Sequence, residues 1–175
     1  MNQARLKNAF QIAKENTGMD NRHILSAEKQ SINRFGTMDV PGAGVLMIAV
    51  EELSELITEL TLAESGYPDE FAILEETVDV ELGMDYVRTL CGLSEYYGYA
   101  NLYMDTEHES AICTLSIMQK QIIKYLRGKG NLCMMAKYVV RTLHILHQIE
   151  QKYCFTKQDT QAMKTVKIDR IKQRL

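Results

Sequence analysis

From Val45 to about Ala63, apolar residues return at alternating steps of four and three: Leu46, Val50, Leu53, Ile57 and Leu60. That rhythm is the period of an amphipathic helix, and it commits the chain to helix–helix packing, because one apolar stripe must be covered by another. Further stripes follow at Leu115, Ile122 and Ile123, and at Val139, Leu143 and Leu146. Two prolines and ten glycines in 175 residues leave room for long helices, and strand signals are scarce.

The punctuation between the stripes divides the chain. Residues 3–15 and 21–35 read as two N-terminal helices around the polar break Asn16-Thr17-Gly18, and Gly36 to Gly44, with Pro41, reads as a loop. Ser65-Gly66-Tyr67-Pro68 stops the 45–63 helix, and Asp69 is placed to cap a second helix running to about Tyr97. Thr106-x-x-Glu109 has the form of a capping box for a third helix, from about Glu107 to Arg127. Gly128-Lys129-Gly130 turns into a fourth, Leu132 to about Tyr153. Thr156 caps a last one carrying Lys157, Lys164, Lys167, Arg170, Lys172 and Arg174. The expectation is one all-α domain over 1–175, a helical bundle built around an antiparallel two-helix acidic hairpin (45–97). A second hairpin (107–153) and a basic C-terminal helix (157–174) complete it. The second hairpin echoes the first in length but has almost no acids at equivalent places, as a degenerate copy would.

Composition narrows the functional classes. A net charge of −3 and a pI near 5.8 argue against a protein that coats nucleic acid. No apolar run approaches the ~20 residues of a membrane span, and the start, MNQARLKNAFQIAKEN, lacks the apolar core of a secretory signal. The four cysteines, Cys91, Cys113, Cys133 and Cys154, show no C-x-x-C spacing and read as small core residues. These readings predict a cytoplasmic protein with neither a membrane nor a nucleic-acid partner.

The acids carry the chemistry. Glu51, Glu52, Glu55 and Glu59 crowd one helix, with Glu52 and Glu55 three apart and therefore on one face. Taken alone they read as a solvated face opposite Leu46, Val50 and Leu53. The next helix changes that reading. Glu76 and Asp79 are again three apart, and their face also carries Ala72, Val80, Val87 and Leu90, while Phe71, Leu74, Val78 and Leu82 cover the opposite side. A helix apolar nearly all round is buried, and buried carboxylates need a partner or a metal. Two carboxylate pairs facing each other across a hairpin offer four hard oxygen donors of the kind Mg²⁺ favours. Salt bridges from Glu76 and Asp79 to Arg88 or to distant lysines are the alternative.

The string Glu51-Glu52-Leu53-Ser54-Glu55, followed after a twenty-residue gap by Glu76-Thr77-Val78-Asp79, resembles the E-E-x-x-E…E-x-x-D signature of the all-α, MazG-like nucleotide pyrophosphohydrolases, a superfamily that includes dimeric dUTPases and dCTP pyrophosphatases. EELSELITEL resembles its first motif helix and EETVDVELGMDYV its second. The ending KIDRIKQRL is similar to the basic C-terminal helix of small, often phage-encoded members. The resemblance covers roughly 45–97 and the tail. It implies Mg²⁺, with Mn²⁺ as a substitute, held by Glu52, Glu55, Glu76 and Asp79. Glu51 is implied as a near acid that orients a ligand or helps activate water, beside the catalytic pair Glu52 and Glu55. The implied reaction cleaves a (deoxy)nucleoside triphosphate to the monophosphate and pyrophosphate. Lys167, Arg170 and Lys29 are the expected phosphate contacts, and Gln30 and Phe35 are the nearest candidates for contact with the base. A homo-oligomer, dimer or tetramer, is expected. The chain is longer than one-hairpin members, so the acid-poor hairpin is placed to act as the partner hairpin within one chain.

Two other readings compete. Ten methionines and the apolar stripes also suit a non-catalytic helical interaction or regulatory module. Among His23, His108, His144 and His147, the pair His144 and His147, with Glu150 three residues on, has transition-metal spacing. The paired Glu-x-x-His motifs of a di-iron bundle are missing.

Overall fold

The computed structural model describes residues 3–15, 43–96 and 110–174. The described chain is all helical: α1 (Gln3–Glu15), α2 (Ala43–Glu64), α3 (Glu70–Leu90), a 3₁₀ turn (Leu93–Tyr96), α4 (Ala111–Leu126), α5 (Leu132–Lys152) and α6 (Lys157–Arg174). The expected 21–35 helix lies outside the described residues, as do His23, Lys29, Gln30, Phe35 and His108. Among the described residues no helix is long and apolar enough to cross a membrane.

Local chemistry explains most of the boundaries. Gly66, at φ +91°, lets Tyr67 N–H turn back to Leu62 O at 3.0 Å and close α2. The Asp69 side chain accepts from Phe71 and Ala72 N–H and opens α3. Thr156 Oγ1 accepts from Asp159 N–H at 3.2 Å while Asp159 Oδ2 accepts Thr156 N–H at 2.9 Å, a reciprocal cap on α6. Three boundaries differ from expectation. α2 begins at Ala43, so Gly44 belongs to the helix and not to the loop before it. α3 stops at Leu90 because Gly92 turns left-handed at φ +61°, instead of running on to Tyr97. α4 begins at Ala111, not near Glu107: Ser110 is extended and its hydroxyl accepts Cys113 N–H at 3.2 Å. The proposed Thr106–Glu109 box lies outside the described residues.

Helices α2 and α3 form one antiparallel hairpin and α4 and α5 another; α4 packs on α2 and α5 on α3, closing a four-helix bundle. Its core gathers Leu46, Ala49, Leu53, Leu56 and Leu60 with Ile73, Val80, Met84 and Val87, and with Leu115, Met118, Ile122, Met135, Val139 and Leu146. The buried edge of α2 is therefore turned from the expected stripe. Ala49 and Leu56 are fully buried, whereas Val50 and Ile57 are only partly so. Gln119 ties α4 to α2, donating to Val50 O at 2.9 Å and to Ser54 Oγ at 2.6 Å.

A second cluster covers the other side of α3. Leu74, Val78 and Leu82 meet Leu6 of α1 and Met163 and Val166 of α6, with Phe10 set edge-on to Phe71 at 5.5 Å. Lys14 pairs with Asp159, and Gln158 donates to Lys14 O at 2.9 Å, joining α1 to α6. Buried on both flanks, α3 is the central element, as its nearly all-round apolar surface predicts. The cysteines depart from expectation: only Cys91 is buried, its thiol pushed up to about 11 by burial, while Cys113, Cys133 and Cys154 are exposed.

Candidate metal centre

The α2/α3 seam is unusually close at one point. A Cβ on Gly83 would lie 3.3 Å from Ala49 Cβ, so glycine there lets the two backbones approach. One turn from this contact, the antiparallel register brings Glu52 of α2 opposite Asp79 and Glu76 of α3. Glu52 shares the row Val45, Ala49, Leu56 along α2, three residues that are buried. The half-buried state of Glu52 follows from that inner edge and not from the stripe read off the sequence.

One carboxylate oxygen from each of Glu52, Glu76 and Asp79 lies within 4.8 Å of the other two. Among the described residues this is the only group of three or more His, Cys, Asp or Glu side chains so converged. Glu51 and Glu55 are exposed and stand outside the trio, although the charge on Glu55 acts on both Glu52 and Glu76.

Electrostatics oppose ionisation of the trio. Burial, reinforced by the charges of Asp79 and Glu55, pushes Glu52 up to about 8. Burial and Asp79 push Glu76 up to about 9. Burial also raises Asp79, against the pull of Lys167. Glu76 Oε2 is buried with no hydrogen-bond partner. An orphaned carboxylate oxygen in such a place is costly, and a hard cation with oxygen preference would satisfy it. Three carboxylate oxygens so placed are a donor set that fits a hard divalent cation such as Mg²⁺ or Mn²⁺.

The tail cations lie beside these acids. Lys167 Nζ donates to Asp79 Oδ2 and, at 2.5 Å, to Glu75 Oε1, and Arg170 Nη1 stands 3.6 Å from Glu75 Oε1. Lys164 pairs with Glu81 at 2.6 Å. Burial opposes the Lys167 charge, but Asp79 and Glu75 outweigh it and hold the ammonium above the ordinary lysine range. Asp79 therefore has the distant lysine partner weighed as an alternative, whereas Arg88 turns to Asp85 at 3.5 Å. Glu75 is the acid that sequence reading missed. Nothing local distinguishes it, and only the docking of α6 reveals its role. At about 100° per residue, Glu76, Asp79 and Glu75 fan in that order from the α2 seam to the α6 seam.

The His144/His147 spacing builds no comparable centre. His147 Nδ1 lies 3.3 Å from Glu150 Oε2 on an exposed face, and His144 Nε2 lies 3.1 Å from Gln148 Nε2.

Comparison with protein-family models, with curated proteins and with solved structures yields no match to this chain.

Proposed function

We propose that this chain is a Mg²⁺-dependent nucleoside triphosphate pyrophosphohydrolase of the MazG-like type, with its centre at Glu52, Glu76 and Asp79. The observation that carries the reading is the convergence of these carboxylates around an unpartnered, buried Glu76 oxygen. The E-E-x-x-E…E-x-x-D resemblance supplies the reaction. Glu52, Glu76 and Asp79 would hold the ion, and Mn²⁺ would substitute. The bound metal supplies charge neutralisation on phosphate oxygens and a more acidic water. Glu55, exposed at the edge of the trio, is free to accept the proton of the attacking water. Glu51, exposed on the same helix, would tune that edge. Lys167 and Arg170 bring positive charge to the α6 side of the acids, where a polyphosphate needs it. The acid-poor α4/α5 hairpin takes the place of a partner hairpin, and homo-oligomers would then pair complete bundles.

Pyrophosphate release from a panel of dNTPs and NTPs, with and without Mg²⁺, tests this reading. Mg²⁺-dependent release from at least one nucleotide, lost in Asp79→Ala, is the expected result. Metal-independent release, or release that survives in both Asp79→Ala and Glu76→Gln, would contradict it.

The Lys167 pairs with Asp79 and Glu75 favour one other reading, a structural acid–lysine seam in a non-catalytic helical module. In that case Mg²⁺ would change the stability of neither the wild-type chain nor Glu76→Gln.

A further inference from the structure

Asp79 belongs to two groupings. It contributes an oxygen to the trio with Glu52 and Glu76, and its Oδ2 accepts from Lys167. The same ammonium is bound by Glu75 Oε1 at 2.5 Å, so both acceptor oxygens surround one nitrogen, close enough together for a single ion to bridge them. Lys167 is not a loose arm. Met163 and Val166, on its face of α6, are buried against Leu74, Val78 and Leu82, and the Lys167 side chain is only 10% exposed. A cation tethered this way competes for its oxygens at high effective concentration.

We propose that Lys167 is a positioning residue that stands in for a second divalent cation: held by Glu75, it caps Asp79 Oδ2 and limits the centre to one metal ion per chain. The inference rests on the proposed metal centre. Glu51, Glu52, Glu55, Glu76 and Asp79 invite a multi-metal site, yet the structure converges three of them and gives Asp79 Oδ2 to an ammonium. Removing the ammonium would leave Asp79 Oδ2 and Glu75 Oε1 as an open pair of hard donors, to which water completes a hydrated ion's shell.

Titration of the full chain with Mn²⁺, followed by the electron paramagnetic resonance signal of the free ion, counts the bound metal. The wild-type chain is expected to take one ion and Lys167→Arg one. Lys167→Met, which keeps the stem and removes the charge, should take two. Adding Glu75→Gln to Lys167→Met should return the count to one, a reversal that a merely structural lysine would not produce. Lys167→Gln serves as a second neutral variant should Lys167→Met not fold. Two ions in the wild-type chain, or one in both folded neutral variants, overturns the inference and leaves the metal centre standing. No bound ion in any protein overturns the centre itself, and the inference with it.

Discussion

The α2/α3 hairpin pairs over a seam that contains three carboxylates, while the α4/α5 hairpin pairs over one that contains none. α4 has no acid, and the single acid of α5, Glu150, lies beside the exposed His147. The polar side chains that α4 and α5 bury, Gln121, Thr114 and Thr142, are neutral. Both hairpins contribute to the same apolar core, so burying acids is not a requirement of this architecture. Carboxylates set beside one another in a half-buried seam oppose folding, and apolar side chains there would pack without that cost. On this difference rests our proposal that one hairpin binds and the other supports.

The largest expected effect separates the hairpins by activity. Asp79→Ala should lower Mg²⁺-dependent pyrophosphate release by more than about 100-fold, beyond the cost typical of residues that stand behind metal ligands. A variant retaining a tenth or more of the rate would place the chemistry elsewhere.

The supporting hairpin should respond in the opposite sense. Ile122, fully buried in α4, should cost about 2–5 kcal/mol as Ile122→Ala in denaturant unfolding. Its Mg²⁺ dependence should stay that of the wild type per folded molecule. A changed metal affinity would break the division between the hairpins.

A pH series sharpens the contrast further. Glu52 and Glu76 have folded-state values raised to about 8 and about 9 from 4.5, so between those limits the folded chain binds more protons than the unfolded one. Without metal, stability should therefore fall as pH rises from about 5 to about 9. Thermal melts in a chelator read this directly, and Glu52→Gln combined with Glu76→Gln should flatten the slope. An unchanged slope in that variant would assign the pH dependence to other groups.

The smallest effect concerns geometry alone. Gly83→Ala would press a methyl group to 3.3 Å from Ala49 Cβ, costing about 1 kcal/mol and parting α2 from α3 near the trio. Mg²⁺ affinity should fall several-fold. Equal stability with equal affinity would show that the close approach does not position the acids.

Legibility in the sequence followed the range of the interactions. The helices, the Asp69 and Thr156 caps and the Gly66 stop were readable because neighbouring residues decide them. That acids of α2 would meet Glu76 and Asp79 was readable because a short turn fixes the hairpin register, but of the expected pair Glu52 and Glu55 only Glu52 converges with them, Glu55 being exposed. The inner edge of α2 was not readable, since Ala49 is buried by Gly83, a contact that no local hydrophobic count detects. Glu75 escaped notice for the same reason: its partners are 92 residues and more away, on a helix whose docking depends on Met163 and Val166. Gly92 was passed over because a single glycine inside an apolar run does not announce whether it stops the helix.

Thermal melting at mildly alkaline pH, with and without Mg²⁺, on the wild-type chain and on Glu76→Gln tests the central claim most directly. The wild type should melt several degrees higher with Mg²⁺, at roughly 2–4 °C per kcal/mol for a chain of this size. Glu76→Gln should melt higher than the wild type without metal and gain almost nothing from Mg²⁺. A wild-type melt indifferent to Mg²⁺, or an equal gain in Glu76→Gln, would contradict the assignment of Glu52, Glu76 and Asp79 as a divalent-cation centre.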